Sequence, residues 1–239
     1  LSRDITIKAL PVLKRYMDIN LLGSYQVDAE GVKPPAEITL VENGILNTLL
    51  NNRIPTPKVR ASNAHERPVL SAYRTSQTLG PSVISIESSE GKTKEALKRE
   101  LLKRASEEGM DYGILVRRLH PMFVGSGPLS WMGLSSGKRG SSSLTRPLLI
   151  YRVYVADGRE EPVRSAQLGD VGLSTLRHIA AVTKGRFVYN TLATANWRTG
   201  IPASFIVPES LILEEIEVKN EKRGYTPKLP VVPSPLATK

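Results

Sequence analysis

Ile38-Thr39-Leu40-Val41-Glu42-Asn43-Gly44-Ile45-Leu46 decides the reading of the fold. Asn-Gly between two apolar runs supplies the two φ > 0 positions of a type I′ turn, so 38–50 is predicted to be a β-hairpin. A second hairpin follows from Leu148–Val155, where Asp157-Gly158 turns the chain back into Pro162-Val163-Arg164. The two turn regions, Thr39–Gly44 and Tyr154–Arg159, resemble one another. That likeness leaves open a duplicated α+β subdomain or chance repetition.

Working outward, Ile5, Ile7 and Ala9 alternate as a strand would, and Leu21–Val32 is strand-like but broken by turn formers. Residues 51–82, rich in Asn, Pro, Ser and Arg, are predicted to be a long, partly ordered loop. Val83–Ile86 is a short strand. Thr93–Glu108 has Ala96, Leu97, Leu101, Leu102 and Ala105 at helical spacing, with Gly109 at the C-cap. Gly113–Leu119 is predicted to be a buried strand, 125–143 a Gly/Ser loop, and Ser174 the cap of a helix through Val182. Arg186–Tyr189 and Ala203–Val207 are short strands, and Leu211–Val218 alternates as an exposed edge strand. The expected fold is α+β: antiparallel hairpin-rich sheets with two or three surface helices, in a domain over 1–218. A Pro-rich extended tail, 219–239, carries prolines at 227, 230, 233 and 235.

The 239 residues are 40% hydrophobic and 23% charged, which excludes wholesale disorder. There is no cysteine, so disulfide frameworks, zinc ribbons, iron–sulfur ligation and thiol nucleophiles are all excluded. Lys plus Arg exceed Asp plus Glu by 33 − 23 = 10, a surplus that suits anionic partners. No apolar run reaches the roughly 20 residues of a spanning helix, and no signal segment follows Leu1. A chain that opens on Leu in mid-pattern reads as a fragment or a processed product.

The motifs yield no catalytic centre. His65-Glu66 begins like a zinc-protease signature, but no second His follows on the same helical face and Pro68 opposes the helix. His120 and His178 read as structural or solvent-facing. Gly133–Arg139 has a partial likeness to a phosphate loop but lacks its spacing and its Ser or Thr after Lys138. No Gly-x-Ser-x-Gly elbow is present. The basic face formed by Lys92, Lys94, Lys98, Arg99, Lys103 and Arg104 lacks interleaved aromatics, so nucleic acid is disfavoured as a partner.

A resemblance adds to this. Leu22-Gly23-Ser24-Tyr25-x-Val27-Asp28-x-Glu30-Gly31-Val32, followed by Thr39–Leu46, resembles the C-terminal half of the TldD/PmbA metalloproteases, also called modulators of DNA gyrase. Ser62-Asn63-Ala64-His65-Glu66 stands where the family has a Gly-Asn-Ala/Gly-Arg-Arg loop; Asn63 and Ala64 match and the arginines do not. Pro162-Val163-Arg164-Ser165-Ala166-x-Leu168-Gly169 and Ile201-Pro202 through Pro208 resemble later family segments, and the matches run in family order from about 20 to 218. In catalytic members zinc is held by a His-Glu-x-x-x-His helix, expected before Leu1, and by a cysteine, where this chain has Thr194. A neutral hydroxyl is a poor zinc ligand. The resemblance therefore implies no catalytic, metal or cofactor-binding residue in this chain, and leaves open whether the chain is an enzyme. It implies a C-terminal domain of a metallopeptidase or of its non-catalytic partner, framing a cavity for proteolysis of extended peptides. It also implies a cytoplasmic homo- or hetero-oligomer, assembled through this domain, without membrane association. The alternative is a basic binding module for nucleic acid or an acidic protein.

Overall fold

The computed structural model of the chain describes residues 1–71, 76–119, 147–164, 166–169, 175–196 and 199–220. In chain order its elements are β1 (Ile5–Ala9), β2 (Arg15–Tyr16), β3 (Ile19–Asn20), β4 (Ile38–Glu42), β5 (Ile45–Leu46), β6 (Glu66–Ser71), β7 (Ser76–Leu79) and β8 (Val83–Ser88). Helix α1 (Lys94–Glu107) then leads to β9 (Tyr112–Leu119), β10 (Pro147–Tyr154), β11 (Glu160–Pro162) and β12 (Ala166–Leu168). A 3₁₀ turn (Thr175–His178) precedes β13 (Ile179–Val182), β14 (Arg186–Asn196), β15 (Thr199–Pro208), β16 (Leu211–Leu213) and β17 (Val218–Asn220). The fold is α+β, with one α-helix among the described residues rather than two or three.

Eight strands form the main sheet, in the order β5-β4-β1-β8-β15-β6-β7, with β14 also paired to β15. Strand β15 is its axis. Ser204 pairs with Asn190 of β14 on one side and with Val83 of β8 on the other, the latter in parallel. Further along, Gly200 pairs with Leu70 of β6. Leu21, Val83, Val188 and Ile206 make the core on one face of this sheet, backed by Leu10, Leu13 and Tyr16. A second core lies beneath α1, where Leu97 meets Ala181 and Ile212 with Leu101 and Ala180 against them. Smaller sheets pair β9-β10-β11, β12-β17, β13-β16 and β2-β3.

The Asn43-Gly44 turn forms as predicted. Both residues have positive φ, 48° and 78°, and Val41 and Glu42 pair with Leu46 and Ile45. The returning strand is only two residues long and does not reach 50. The second hairpin also forms, Tyr151, Arg152 and Val153 pairing with Pro162, Glu161 and Glu160. Its turn is different: Gly158 alone in the 155–159 loop has positive φ, and its N–H donates to the Tyr154 carbonyl at 2.8 Å. The two hairpins share a sequence pattern and not a turn geometry. Helix α1 is capped by the Thr93 hydroxyl, which accepts from the Ala96 N–H at 3.2 Å, and ends at Gly109 with φ 69°.

Other expectations are corrected. Leu21–Val32 forms no strand; it is a run of turns, in which the Asp28 carboxylate accepts from the backbone of Glu30 and Val32. Residues 51–82 are not one loop, because they contain the β6-β7 hairpin, with Arg67 opposite Thr78 and Val69 opposite Ser76. Polar side chains order the stretch before it, a signal that hydrophobic periodicity does not carry. The helix expected from Ser174 to Val182 is a single 3₁₀ turn followed by β13; Ile179 and Val182 pair with Leu213 and Leu211, so tertiary pairing overrides the helical spacing. The short strands at 186–189 and 203–207 are the ends of a hairpin of eleven- and ten-residue strands. The expected edge strand 211–218 is broken between β16 and β17, which pair with different partners, β13 and β12. Strand β9 is buried at Gly113, against Leu101, yet exposed from Arg117 to Leu119. The loop expected at 125–143, with Gly133–Arg139, as well as His120, Ser174 and the tail from 221, lie outside the described residues.

Candidate functional site

Three segments singled out in the sequence, 22–32, 62–66 and 201–208, converge on one buried polar cluster, joined by Arg67. Gly23 opens it. A Cβ there would stand 2.4 Å from the Ser82 carbonyl oxygen and 2.8 Å from the Ser204 nitrogen, so only glycine lets the 21–32 segment lie against β8 and β15. The Gly23 N–H donates to the Ser204 hydroxyl at 2.9 Å, and Ser204 donates to Asn190 at 2.6 Å. Two residues on, the Tyr25 hydroxyl donates to the Ala64 carbonyl at 2.5 Å. Ala64 itself has φ 62°, a left-handed position. Burial pushes the Tyr25 phenol up to about 12, with Asp28 raising it further and Arg67 opposing.

Arg67, only 3% exposed, lies with its guanidinium carbon 3.8 Å from the centre of the Tyr25 ring. One of its terminal nitrogens donates to the Pro202 carbonyl at 3.1 Å. Its Nε and one oxygen of Asp28 have no partner among the described residues, although both groups are buried. Burial holds the Arg67 guanidinium below its ordinary range.

His65 is 0% exposed. Its Nδ1 lies 2.9 Å from the Asn63 carbonyl and 3.1 Å from the Asn63 side-chain oxygen. Both are acceptors, so Nδ1 carries the proton and Nε2 accepts from the Ser82 hydroxyl at 3.1 Å. Burial pulls the ring's basicity down. Ser82, His65 and Asn63 thus stand in the order nucleophile, base and orienting group that acyl transfer uses. Ser82 is as fully buried as His65, with its own carbonyl accepting from Ser204 N–H. No substrate carbonyl reaches a hydroxyl so enclosed, and the cluster reads as structural. Sequence reasoning missed it because Asn63, His65 and Ser82 are brought together only by the β6-β7 hairpin.

The donors needed for zinc do not fit these residues. Both His65 nitrogens are engaged, the Glu66 carboxylate accepts from Asn52 at 2.7 Å, and His178 is exposed beside Glu214 at 3.3 Å. No three His, Cys, Asp or Glu side chains converge among the described residues. The backbone of Thr194 lies in β14.

The basic helix face is largely neutralised. Lys92 and Arg104 pair with Glu100, Lys94 with Glu209, Lys98 with Glu160, and Lys103 with Glu107. Glu160 also accepts from Arg117, tying α1 to β9 and β11. No helix among the described residues is long and apolar enough to cross a membrane.

The family model described as the PmbA/TldA metallopeptidase C-terminal domain matches residues 1–220, and the chain belongs to that family. TldE from Thermococcus kodakarensis is similar in structure at a TM-score of 0.50 and 18% identity, over 87% of this chain and 38% of that one. A protein described as a proposed modulator of DNA gyrase, from Bacteroides thetaiotaomicron, matches at 0.47 and 17%, over 92% of this chain and 37% of its own. At these identities the likeness is one of fold. The chain spans less than two fifths of the length of either protein. No curated protein sequence matches it.

Proposed function

We propose that this chain is the C-terminal building block of a TldD/PmbA-type proteolytic assembly, framing a cavity and guiding an extended peptide by strand addition. The family match over 1–220 supports the assembly. The observation that carries the guiding role is β14. It has one neighbour, β15, among the described residues, and presents Phe187 and Tyr189, 55% and 54% exposed, from alternate positions. An open edge offers an added strand main-chain hydrogen bonds, and apolar side chains at every second residue give it contacts that fix its register. Among the described residues no set of metal-ligating side chains converges, the domain ends near 218–220, and assembly with a second copy or a partner subunit completes the cavity. Placement in the cytoplasm accompanies this reading.

The test is fluorescence anisotropy with a labelled extended peptide bearing apolar residues at alternate positions. The parent should bind, and Phe187→Ser combined with Tyr189→Ser should weaken binding at least tenfold with the fold intact. Equal binding by that variant refutes the guiding role. Light scattering at micromolar concentration tests assembly, for which a monomer without co-purifying partner is the contrary result. Elemental analysis tests the metal, where one tightly held zinc per chain is the contrary result. Nucleic-acid binding that falls steeply with salt would favour the basic-module alternative instead.

A further inference from the structure

We propose that His65 is a proton-operated latch: protonating its ring releases the 49–65 segment from the β6–β8 junction while the main sheet stays folded. The cluster is built around this one ring. On one side it holds Asn63, whose side-chain oxygen accepts from the Asn51 N–H at 2.7 Å and whose amide donates to the Leu49 carbonyl at 2.8 Å. The Asn51 carbonyl in turn accepts from the N–H groups of Asn63 and His65, and the Asn51 amide donates to the carbonyls of Val59 and Ala61. On the other side the ring accepts from Ser82, beside β8. The 49–65 stretch is thus fastened to the sheet through the His65 ring, alongside the Asn52–Glu66 and Tyr25–Ala64 hydrogen bonds, and it contains no regular element of its own.

Protonation reverses the Ser82 fastening and places a charge on a fully buried ring, while the Nδ1–H bonds to Asn63 persist. Nε2 becomes a donor, so the Ser82 hydroxyl, which now donates to it, has to turn its hydrogen away and accept instead, leaving that hydrogen to find another acceptor at a fully buried site. The charged groups facing the ring are Arg67 from β6 and Asp28 from the 21–32 segment, together with the neutral Tyr25, whose ring lies edge-on at 6.2 Å. Adjacent Glu66 is occupied by Asn52. A second buried cation beside Arg67 would share the single Asp28 carboxylate. Burial already disfavours the imidazolium, so the folded ring binds its proton more weakly than the exposed ring of the unfolded chain. The stabilisation is therefore complete above the unfolded value of about 6.5 and is lost as pH falls below it.

Native-state hydrogen exchange on the whole chain between pH 7.5 and 5, corrected for intrinsic rates, tests the latch. The N–H groups of Asn51, Asn63, His65 and Gly80, all bonded within the latch, should lose protection as pH falls below 6.5. One proton allows up to tenfold per pH unit. Those of Ile7 and Ile206, in β1 and β15, should keep their protection. His65→Gln retains a donor and an acceptor without a titrating ring, and should flatten the dependence. If that variant does not fold, an NMR titration of the parent decides: the His65 ring should titrate together with the loss of protection. Protection that is constant over this range, a loss shared equally by β1 and β15, or pH dependence that survives in His65→Gln each overturns the proposal.

Discussion

Gly23→Ala and Gly31→Ala form a matched pair, because the two glycines of one motif are required for opposite reasons. At Gly23 the added Cβ would lie 2.4 Å from the Ser82 oxygen, 2.7 Å from the Ser82 carbonyl carbon and 2.8 Å from the Ser204 nitrogen. All three are backbone atoms, and the neighbouring Val83 and Ser204 are paired to each other across β8 and β15, so neither side yields cheaply. Overpacking of this kind costs roughly 1–3 kcal/mol, and the 21–32 segment must also withdraw its Gly23-to-Ser204 hydrogen bond, worth about 1 kcal/mol. A loss of about 3 kcal/mol is expected. Gly31 has φ 78° and nothing within 4 Å of its added Cβ, so Gly31→Ala meets only the left-handed backbone penalty, about 1 kcal/mol. Urea melts of the parent and both variants measure the difference. Should Gly23→Ala prove no more costly than Gly31→Ala, the close approach of 21–32 to β8 and β15 is wrong.

Three further outcomes follow from the same geometry. Gly44→Val should lose at least 1–2 kcal/mol in denaturant melts, since it combines a left-handed φ of 78° with a Cβ 2.5 Å from the Leu1 carbonyl oxygen. Thr93→Ala removes the cap of α1 and should cost about 1 kcal/mol, whereas Thr93→Ser should cost much less. Tyr25, held at about 12 by burial, should ionise late in an ultraviolet titration; because its folded value is raised, the stability it contributes is full below about 10 and falls as pH rises toward 12.

Local signals made part of the fold legible. Asn43-Gly44 states its own backbone angles, and Thr93 with Gly109 marks both ends of α1. Where pairing partners are distant in sequence, local reading failed. Ile179–Val182 has the spacing of a helix and becomes a strand because Leu211–Leu213 lies ready to pair with it. Thr191, Leu192 and Ala193 carry little strand signal, yet they extend β14 because Ala203, Pro202 and Ile201 lie opposite. The cluster was the least legible part. His65-Glu66 drew attention as an incomplete metal motif, whereas its partners Ser82, Tyr25 and Arg67 carry no spacing pattern. Buried polar networks are assembled by topology, so no sequence window contains one.

The residues that carry the resemblance have architectural work in this structure. Gly23 permits a close approach, Tyr25 bonds Ala64 and covers Arg67, Asp28 closes the turn to Val32, and Gly31 supplies a left-handed angle. Asn63 and Ala64, the matched part of the 62–66 loop, hold Asn51 and provide another left-handed position. A match built from such residues transfers a fold efficiently, since each one excludes alternatives for the backbone. It says less about chemistry, since the contacts these residues make lie within the fold. The unmatched residues, His65 and Glu66 where the family has arginines, fill the same cluster with hydrogen bonds to Ser82 and Asn52. The departure from the pattern has therefore been absorbed by packing. On the reading proposed above, contact with a peptide is made at β14, whose neighbour among the described residues is β15, and not at this cluster.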